Sequence, residues 1–461
     1  MRSLTRSNAH PQISGLIYSK VAKLLFIGLL LVFVYPFFFV ISGVDPTVPY
    51  EGQSQIKIVY YLQMAFPLFC IAIALLYRGS DVCLPSVIMI YPIVCLASTI
   101  WSVDPYDTFK EASLLLLYIL AIAAICQILD IGVFCKIIVR VLAFLILASV
   151  VMAVAFPQYG THQLDDALGD VRVGLWRGVF GHKNQLGAAA STSVFTFLFF
   201  RRLISASVGF QVICIVAAIA CLIFAQSAGS WVALCMLVVY YFLLRTAPVS
   251  RNFLLLIVFG VSALALTVFS FYSADLVVIV GRDATFTGRT DIWRIVLDAI
   301  WQRPLLGFGY YAGTHDFMRP LLAGELFSAA VDAHNGYFDV MLGTGTVGLT
   351  LLLCCIASVT VTAIDRLKTS AGLERDFFWL LLAFPILSLL FSFFETEGIS
   401  GVHDLLDALT FLSLTAIPLY LGLARGTRQS PTSAAYAGSA ARLFTNERRD
   451  TARWRSPTLG G

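Results

Sequence analysis

From Val21 to Leu423 the chain passes through one apolar run after another, with only short polar gaps between most of them. A helix advances ~1.5 Å per residue, so about 20 apolar residues are needed to cross a hydrocarbon core roughly 30 Å thick. Runs that meet this test approximately are 21–43, 57–77, 83–100, 112–129, 134–156, 185–200, 208–226, 230–245, 252–272, 335–363, 377–394 and 404–424. They predict an all-α, polytopic transmembrane bundle of about twelve spans, forming a single domain over 21–424. The first run is too long for the apolar part of a removable signal peptide and follows Arg2, Arg6, Lys20 and Lys23. It reads as a first span behind a cytoplasmic tail, 1–20. The segment 425–461, rich in Arg, Ser and Thr, reads as a disordered cytoplasmic tail.

Composition excludes several alternatives. Only 13% of residues are charged and 59% are hydrophobic, whereas soluble domains carry roughly 25% charged residues. The net charge of +4 comes from cations scattered among the gaps, which gives no nucleic-acid surface. The ten cysteines all lie in or beside apolar runs, without zinc-site spacing to histidine. They read as small packing residues, with neither a metal site nor a disulfide framework expected.

Lys and Arg collect on the cytoplasmic side of membrane proteins. With the N-terminus inside, 21 of the 31 basic residues fall in inside gaps or tails. Of the ten outside, Lys57 and Lys110 stand alone near span ends. The other eight are Arg172, Arg177, Lys183, Arg282, Arg289, Arg294, Arg303 and Arg319, and all lie in two outside segments, 157–184 and 273–334. Positive charge resists that placement, so an anionic ligand at the outer surface is the economical explanation.

Three motifs lie in these segments. The first is Trp176-Arg177-Gly178-Val179-Phe180-Gly181-His182-Lys183-Asn184, where two glycines permit a tight turn as the chain re-enters the membrane. Arg177, His182 and Lys183 place donors at that rim, and Arg can grip phosphate oxygens bidentately. The alternative is that these cations only anchor a helix end at the headgroups. The second is Gly288-Arg289-Thr290-Asp291-Ile292-Trp293-Arg294, in a loop of about 60 residues, too long for a structureless connector. From Thr290 to Gln302 the pattern is helical, with Asp291, Arg294 and Asp298 on one stripe and Ile292, Val296, Ala299 and Ile300 largely opposite. An interfacial helix explains most of this. It does not explain Arg289, which is expected just ahead of the helix and is the better ligand candidate. Gly307-Phe308-Gly309 reads as a turn.

The third motif, Asp332-Ala333-His334-Asn335-Gly336-Tyr337, closes the long loop before a span containing Gly343-Thr344-Gly345-Thr346-Val347-Gly348. At a helix N-terminus the dipole disfavours imidazolium, which makes His334 a neutral base near pH 7, with Asp332 placed to orient it or to offset that effect. A purely structural interfacial histidine is the competing reading. His162 with Asp165, Asp166 and Asp170 reads as a solvated acidic loop, and His315 and Asp316 as loop surface. Glu395, Glu397, His403, Asp404 and Asp407 flank the last outside turn and could line a sugar groove. Ser227 and Ser230 read as helix caps.

In these motifs, and over roughly Leu175 to Leu349, the chain resembles the O-antigen ligase and polymerase superfamily of bacterial membrane glycosyltransferases (Wzy/WaaL-like). The wording Trp-Arg-Gly and His-Lys-Asn is most similar to exopolysaccharide polymerases of the ExoQ type. The resemblance implies a GT-C-like bundle in the bacterial inner membrane, with a long periplasmic loop between spans 9 and 10. It implies transfer of glycan from undecaprenyl diphosphate to a sugar hydroxyl at the periplasmic face, without metal or cofactor. It assigns diphosphate binding to Arg177 and Arg289 and the base or orienting role to His334. His182, Lys183, Asn184, Asp291, Arg294 and Asn335 would support them. Members often carry a Ser-Arg pair after the seventh span, where this chain reads Ser227-Ala228-Gly229-Ser230; Arg172 is the candidate to replace that arginine. Expected partners are the lipid-linked oligosaccharide, the bilayer, and a chain-length regulator or flippase of the same pathway. A ligase acting on lipid A or protein, and a polysaccharide or anion transporter, are the competing readings. A transporter should bury ionisable residues near the bilayer midplane, often on broken helices, and the spans carry almost none.

Overall fold

The computed structural model describes residues 10–33, 54–78, 83–163, 173–204, 206–246, 287–326, 333–396, 398–402 and 404–426. These form an all-α bundle; among the described residues the single β feature is an isolated antiparallel bridge, Thr161–Trp176. Helices match or overlap eleven of the twelve expected spans, and the ninth, 252–272, lies outside the described residues. Among the described residues six helices are long and apolar enough to cross a membrane by length and composition, and two shorter apolar helices lie over Val87–Ile100 and Ala228–Leu243. The chain is a multi-pass membrane protein.

Helix starts follow from local chemistry. An apolar helix leaves its first N–H groups without partners, and a short polar side chain ahead of it supplies an acceptor. Asp104 accepts from the Asp107 amide to open α4 (Pro105–Cys126), with Pro105 in the first turn. Asp130 accepts from Val133 to open α5 (Ile131–Ala155), and Ser207 from Phe210 to open α7 (Val208–Ala225). The first helix, α1, runs from His10 to Val32, so it begins well ahead of the expected span.

Burial ranks the helices. In the last, α13 (Leu405–Gly426), 89% of the apolar window is buried, against 28% in α2 (Ser54–Arg78). Among the described residues α13 is therefore enclosed by other helices along most of its length, and α2 is the least enclosed of the candidate spans. Hydroxyls on α13 bond back into its own backbone, as Thr410 does to the Leu406 carbonyl and Thr415 to that of Phe411. All ten cysteines are free thiols, seven of them buried.

The long helix after the third motif, α11 (Gly336–Thr369), is interrupted. Gly345 has φ 68° and ψ −171°, which ends one helical stretch and starts another. Backbone groups exposed by such a break inside a membrane must be satisfied from elsewhere in the protein. Residues 304–309 do this by threading along the break. The amides of Phe308 and Gly309 donate to the carbonyls of Leu342 and Gly343, at 2.7 and 2.9 Å. The amides of Thr346 and Val347 donate to the carbonyls of Pro304 and Leu305, at 2.9 and 3.2 Å. The Gly307-Phe308-Gly309 turn is thus part of a strap pinning the long loop into a span.

Candidate active site

The first motif is built on the backbone of 159–162. The amides of Arg177 and Gly178 both donate to the Gly160 carbonyl at 2.9 Å, and Arg177 Nε donates to the Tyr159 carbonyl at 3.0 Å. Arg177 is buried, and these bonds fix the plane of its guanidinium. Trp176 stacks on Phe224, 4.5 Å between ring centroids. Helix α6 (Lys183–Phe199) follows at once. His182 Nδ1 accepts from the Asn184 amide at 3.3 Å, and Lys183 Nζ reaches the Gln226 carbonyl at 3.4 Å. His182, Lys183 and Asn184 therefore shape a helix start beside a buried arginine.

The second and third motifs meet directly. Helix α9 spans Thr287–Gln302, so Arg289 lies in its first turn and not ahead of it as the sequence suggested. The helix begins three residues before the expected Thr290, within the Thr287-Gly288 stretch that the periodicity had not counted as helical. The apolar stripe is as expected: Ile292, Val296, Ala299 and Ile300 are buried, while Arg294 and Asp298 are exposed. Trp293 leaves this helix to donate its indole N–H to the Ala333 carbonyl at 3.0 Å, and its ring meets Phe338 edge-on. The residue before His334 is thus tied to the second motif near its end.

His334 stands one residue before the cap of α11, with φ 47°. Asn335 is the cap, its side-chain oxygen accepting from the Tyr337 and Phe338 amides at 3.0 and 3.2 Å. The Gly336 amide donates to the carbonyls of Ser392 and Glu395. These bonds bring Glu395, a buried carboxylate, to His334, with Nδ1 and Oε2 3.3 Å apart. Asp332, expected as the orienting carboxylate, lies outside the described residues. Nothing local in the sequence pairs Glu395 with His334 across 61 positions; the acidic cluster after the eleventh span was the one available signal.

A chain of contacts joins the first motif to the other two. Gly187, one turn into α6, lies where a Cβ would overlap Ser230 and Ser227. Those serines bond to each other at 2.8 Å at the head of α8 (Ala228–Thr246) and are buried against α6. Between them in that turn, Gly229 lies against Phe394, whose chain neighbour is Glu395. All three motifs therefore occupy one end of the bundle.

The same end has an acidic side. The strap seats on the turn ahead of α4: Val103 donates to the Phe308 carbonyl at 2.9 Å, Thr108 Oγ1 to that of Tyr310 at 3.0 Å, and Trp101 Nε1 to that of Leu306 at 3.0 Å. It continues into a π-helical turn, Gly313–Met318, that carries His315 and Asp316. Carboxylate oxygens of Asp104, Asp107 and Asp316 come within 4.8 Å of one another, close enough to share a cation. Desolvation, reinforced by Asp107 and Asp104, pushes the Asp316 carboxyl up to about 6. Nothing local in the chain groups these three, since Asp316 lies in a different loop. His315 stacks on Tyr311 at 3.8 Å. His162 also departs from expectation: it is buried, not solvated, because its ring packs on His182. Arg172, Asp165, Asp166 and Asp170 lie outside the described residues, as do the side chains of Arg289 and Asp291.

Residues 212–353 match the O-antigen ligase family, Wzy_C. The chain is also similar to the exopolysaccharide production protein ExoQ of Rhizobium meliloti (strain 1021), with 30% identity over 264 residues. That similarity covers 53% of this chain and 58% of the relative, so the chain spans less than two thirds of the relative's length. Over these regions the chain is similar to the O-antigen ligase and polymerase superfamily, and to its ExoQ-like members in particular.

Proposed function

We propose that this chain is an exopolysaccharide polymerase that moves a glycan from undecaprenyl diphosphate to a sugar hydroxyl. The reaction would occur at the periplasmic face of the bacterial inner membrane, the side on which the Lys and Arg distribution leads us to expect the long loop. The observation that carries the reading is convergence: Trp293 on Ala333, Glu395 on His334, and Gly229 on Phe394 join three distant motifs at one end of the bundle.

In the proposed reaction the acceptor oxygen bonds to the anomeric carbon as the bond from that carbon to the diphosphate breaks. The electron pair leaves with the lipid diphosphate, and the acceptor proton passes to His334. With Nδ1 facing Glu395, Nε2 is the atom that takes the proton, and the carboxylate stabilises the imidazolium. Arg177, with Arg289 and Arg172 as its proposed partners, offsets the charge that develops on the leaving diphosphate. No step requires a metal ion or organic cofactor.

A ligase reading draws on the family match, which is described as an O-antigen ligase. A transporter reading would draw on the break in α11, but the chain's own residues 304–309 fill that break, and no ion site is needed to explain it. Lipid-linked intermediates of a deletion strain discriminate the readings. Single repeat units accumulate without a polymerase, long lipid-linked chains accumulate without a ligase, and neither accumulates if both readings are wrong. A chain-length regulator or flippase of the same pathway is the expected protein partner.

A further inference from the structure

The buried imidazole of His162 lies outside all three motifs, yet it touches the first motif at its functional end. We propose that His162 is a positioning residue for the turn Arg177–Lys183, acting as a hydrogen-bond acceptor for the Lys183 amide. The proposal rests on the reading of that turn as the diphosphate site.

Residues 159–162 and 174–178 are laced together by backbone bonds. His162 donates its amide to the Leu175 carbonyl at 3.0 Å, and its own carbonyl accepts from Gly174 at 2.9 Å. With the bridge between Thr161 and Trp176, these bonds set the near side of the turn. The far side is the start of α6, where the first amides have no partner within the helix. His182 Nδ1 takes the Asn184 amide, and His162 Nε2 takes the Lys183 amide at 3.2 Å. The two rings meet edge-to-face, 5.3 Å between centroids. The backbone bonds hold one end of the turn and the His162 side chain holds the other, so Arg177 and Lys183 keep a fixed separation.

The chemistry of that contact dictates what can replace it. A ring nitrogen that accepts an N–H is unprotonated, so His162 contributes a lone pair at the position of Nε2. Glutamine can place an amide oxygen there; leucine fills similar space but offers the part-buried Lys183 N–H no acceptor.

The test measures binding of undecaprenyl diphosphate to the purified full-length protein in detergent, with wild type, His162→Leu and His162→Gln compared. The expected result is affinity about five- to tenfold weaker in the leucine variant, the scale of one lost hydrogen bond, with recovery to within about twofold in the glutamine variant. Wild-type affinity in His162→Leu overturns the proposal, and so does an equal loss in the leucine and glutamine variants. If the leucine variant does not fold, weakened binding in a folded His162→Gln protein overturns it equally. Failure of wild type itself to bind would refute the diphosphate reading first, and the role of His162 with it.

Discussion

Glu395 Oε2 lies 3.3 Å from His334 Nδ1, a contact across two loops that the Gly336 amide supports by bonding to the Glu395 carbonyl. A carboxylate in this place fixes the ring's orientation and favours its protonated form during proton transfer. Replacing Glu395 with Gln should retain the shape and remove the charge. The expected outcome is turnover lower by about 10²-fold or more, with lipid-diphosphate binding unchanged. Steady-state kinetics with donor binding measured separately checks this. An unchanged kcat would leave Glu395 a structural residue.

Arg177 has its Nε bonded to the Tyr159 carbonyl, which a lysine can imitate only by giving up its single charged group. Arg177→Lys should therefore weaken donor binding by at least about tenfold while the protein remains in the membrane. A lysine variant with normal polymer output would show that charge at the rim suffices.

The break in α11 rests on one backbone conformation. At φ 68° and ψ −171° Gly345 lies in a region essentially closed to other residues, and a Cβ there would overlap the Leu305 carbonyl. Gly345→Ala should lower stability by about 1–3 kcal/mol from the backbone alone, more if the strap is displaced. Gly422→Ala, at a helical site where a Cβ meets open space, is the control and should melt no lower than wild type. Equal melting temperatures for the two variants would contradict the role given to the strap.

These elements also show what a sequence of this kind reveals. Span positions were legible because a membrane imposes length and apolarity directly on the chain. The buried stripe of α9 was legible because its period is local. The strap was not: the glycines of 343–348 were visible, but their partners, Pro304 to Gly309, lie some 40 residues away and pair through backbone groups that leave no side-chain pattern. Glu395 and His162 were hidden for a related reason. Each stands among acidic neighbours that suggest a solvated surface, and only the tertiary fold brings it to a motif histidine.

Burial and the carboxylates of Asp107 and Asp104 raise Asp316 from 3.8 to about 6. The folded form therefore binds this proton more tightly than the unfolded chain, so the group favours folding most at low pH and its benefit is lost as pH rises through about 6. Thermal melts from about pH 4 to pH 8 should show Asp316→Asn matching wild type at the acid end and exceeding it above about pH 6. A constant difference across the range would mean that the Asp316 carboxyl is not raised by burial and its acidic neighbours.

His334 is proposed to accept the hydroxyl proton in a reaction that requires no metal. Purified protein should therefore be given defined repeat units on undecaprenyl diphosphate in the presence of EDTA, and chain growth followed for wild type and His334→Gln. Wild type is predicted to elongate the glycan under these conditions. The glutamine variant, which keeps the shape without the basicity, is predicted to bind the donor and elongate nothing. Elongation by the glutamine variant at the wild-type rate, or wild-type activity that appears only after a divalent cation is restored, would contradict this proposal.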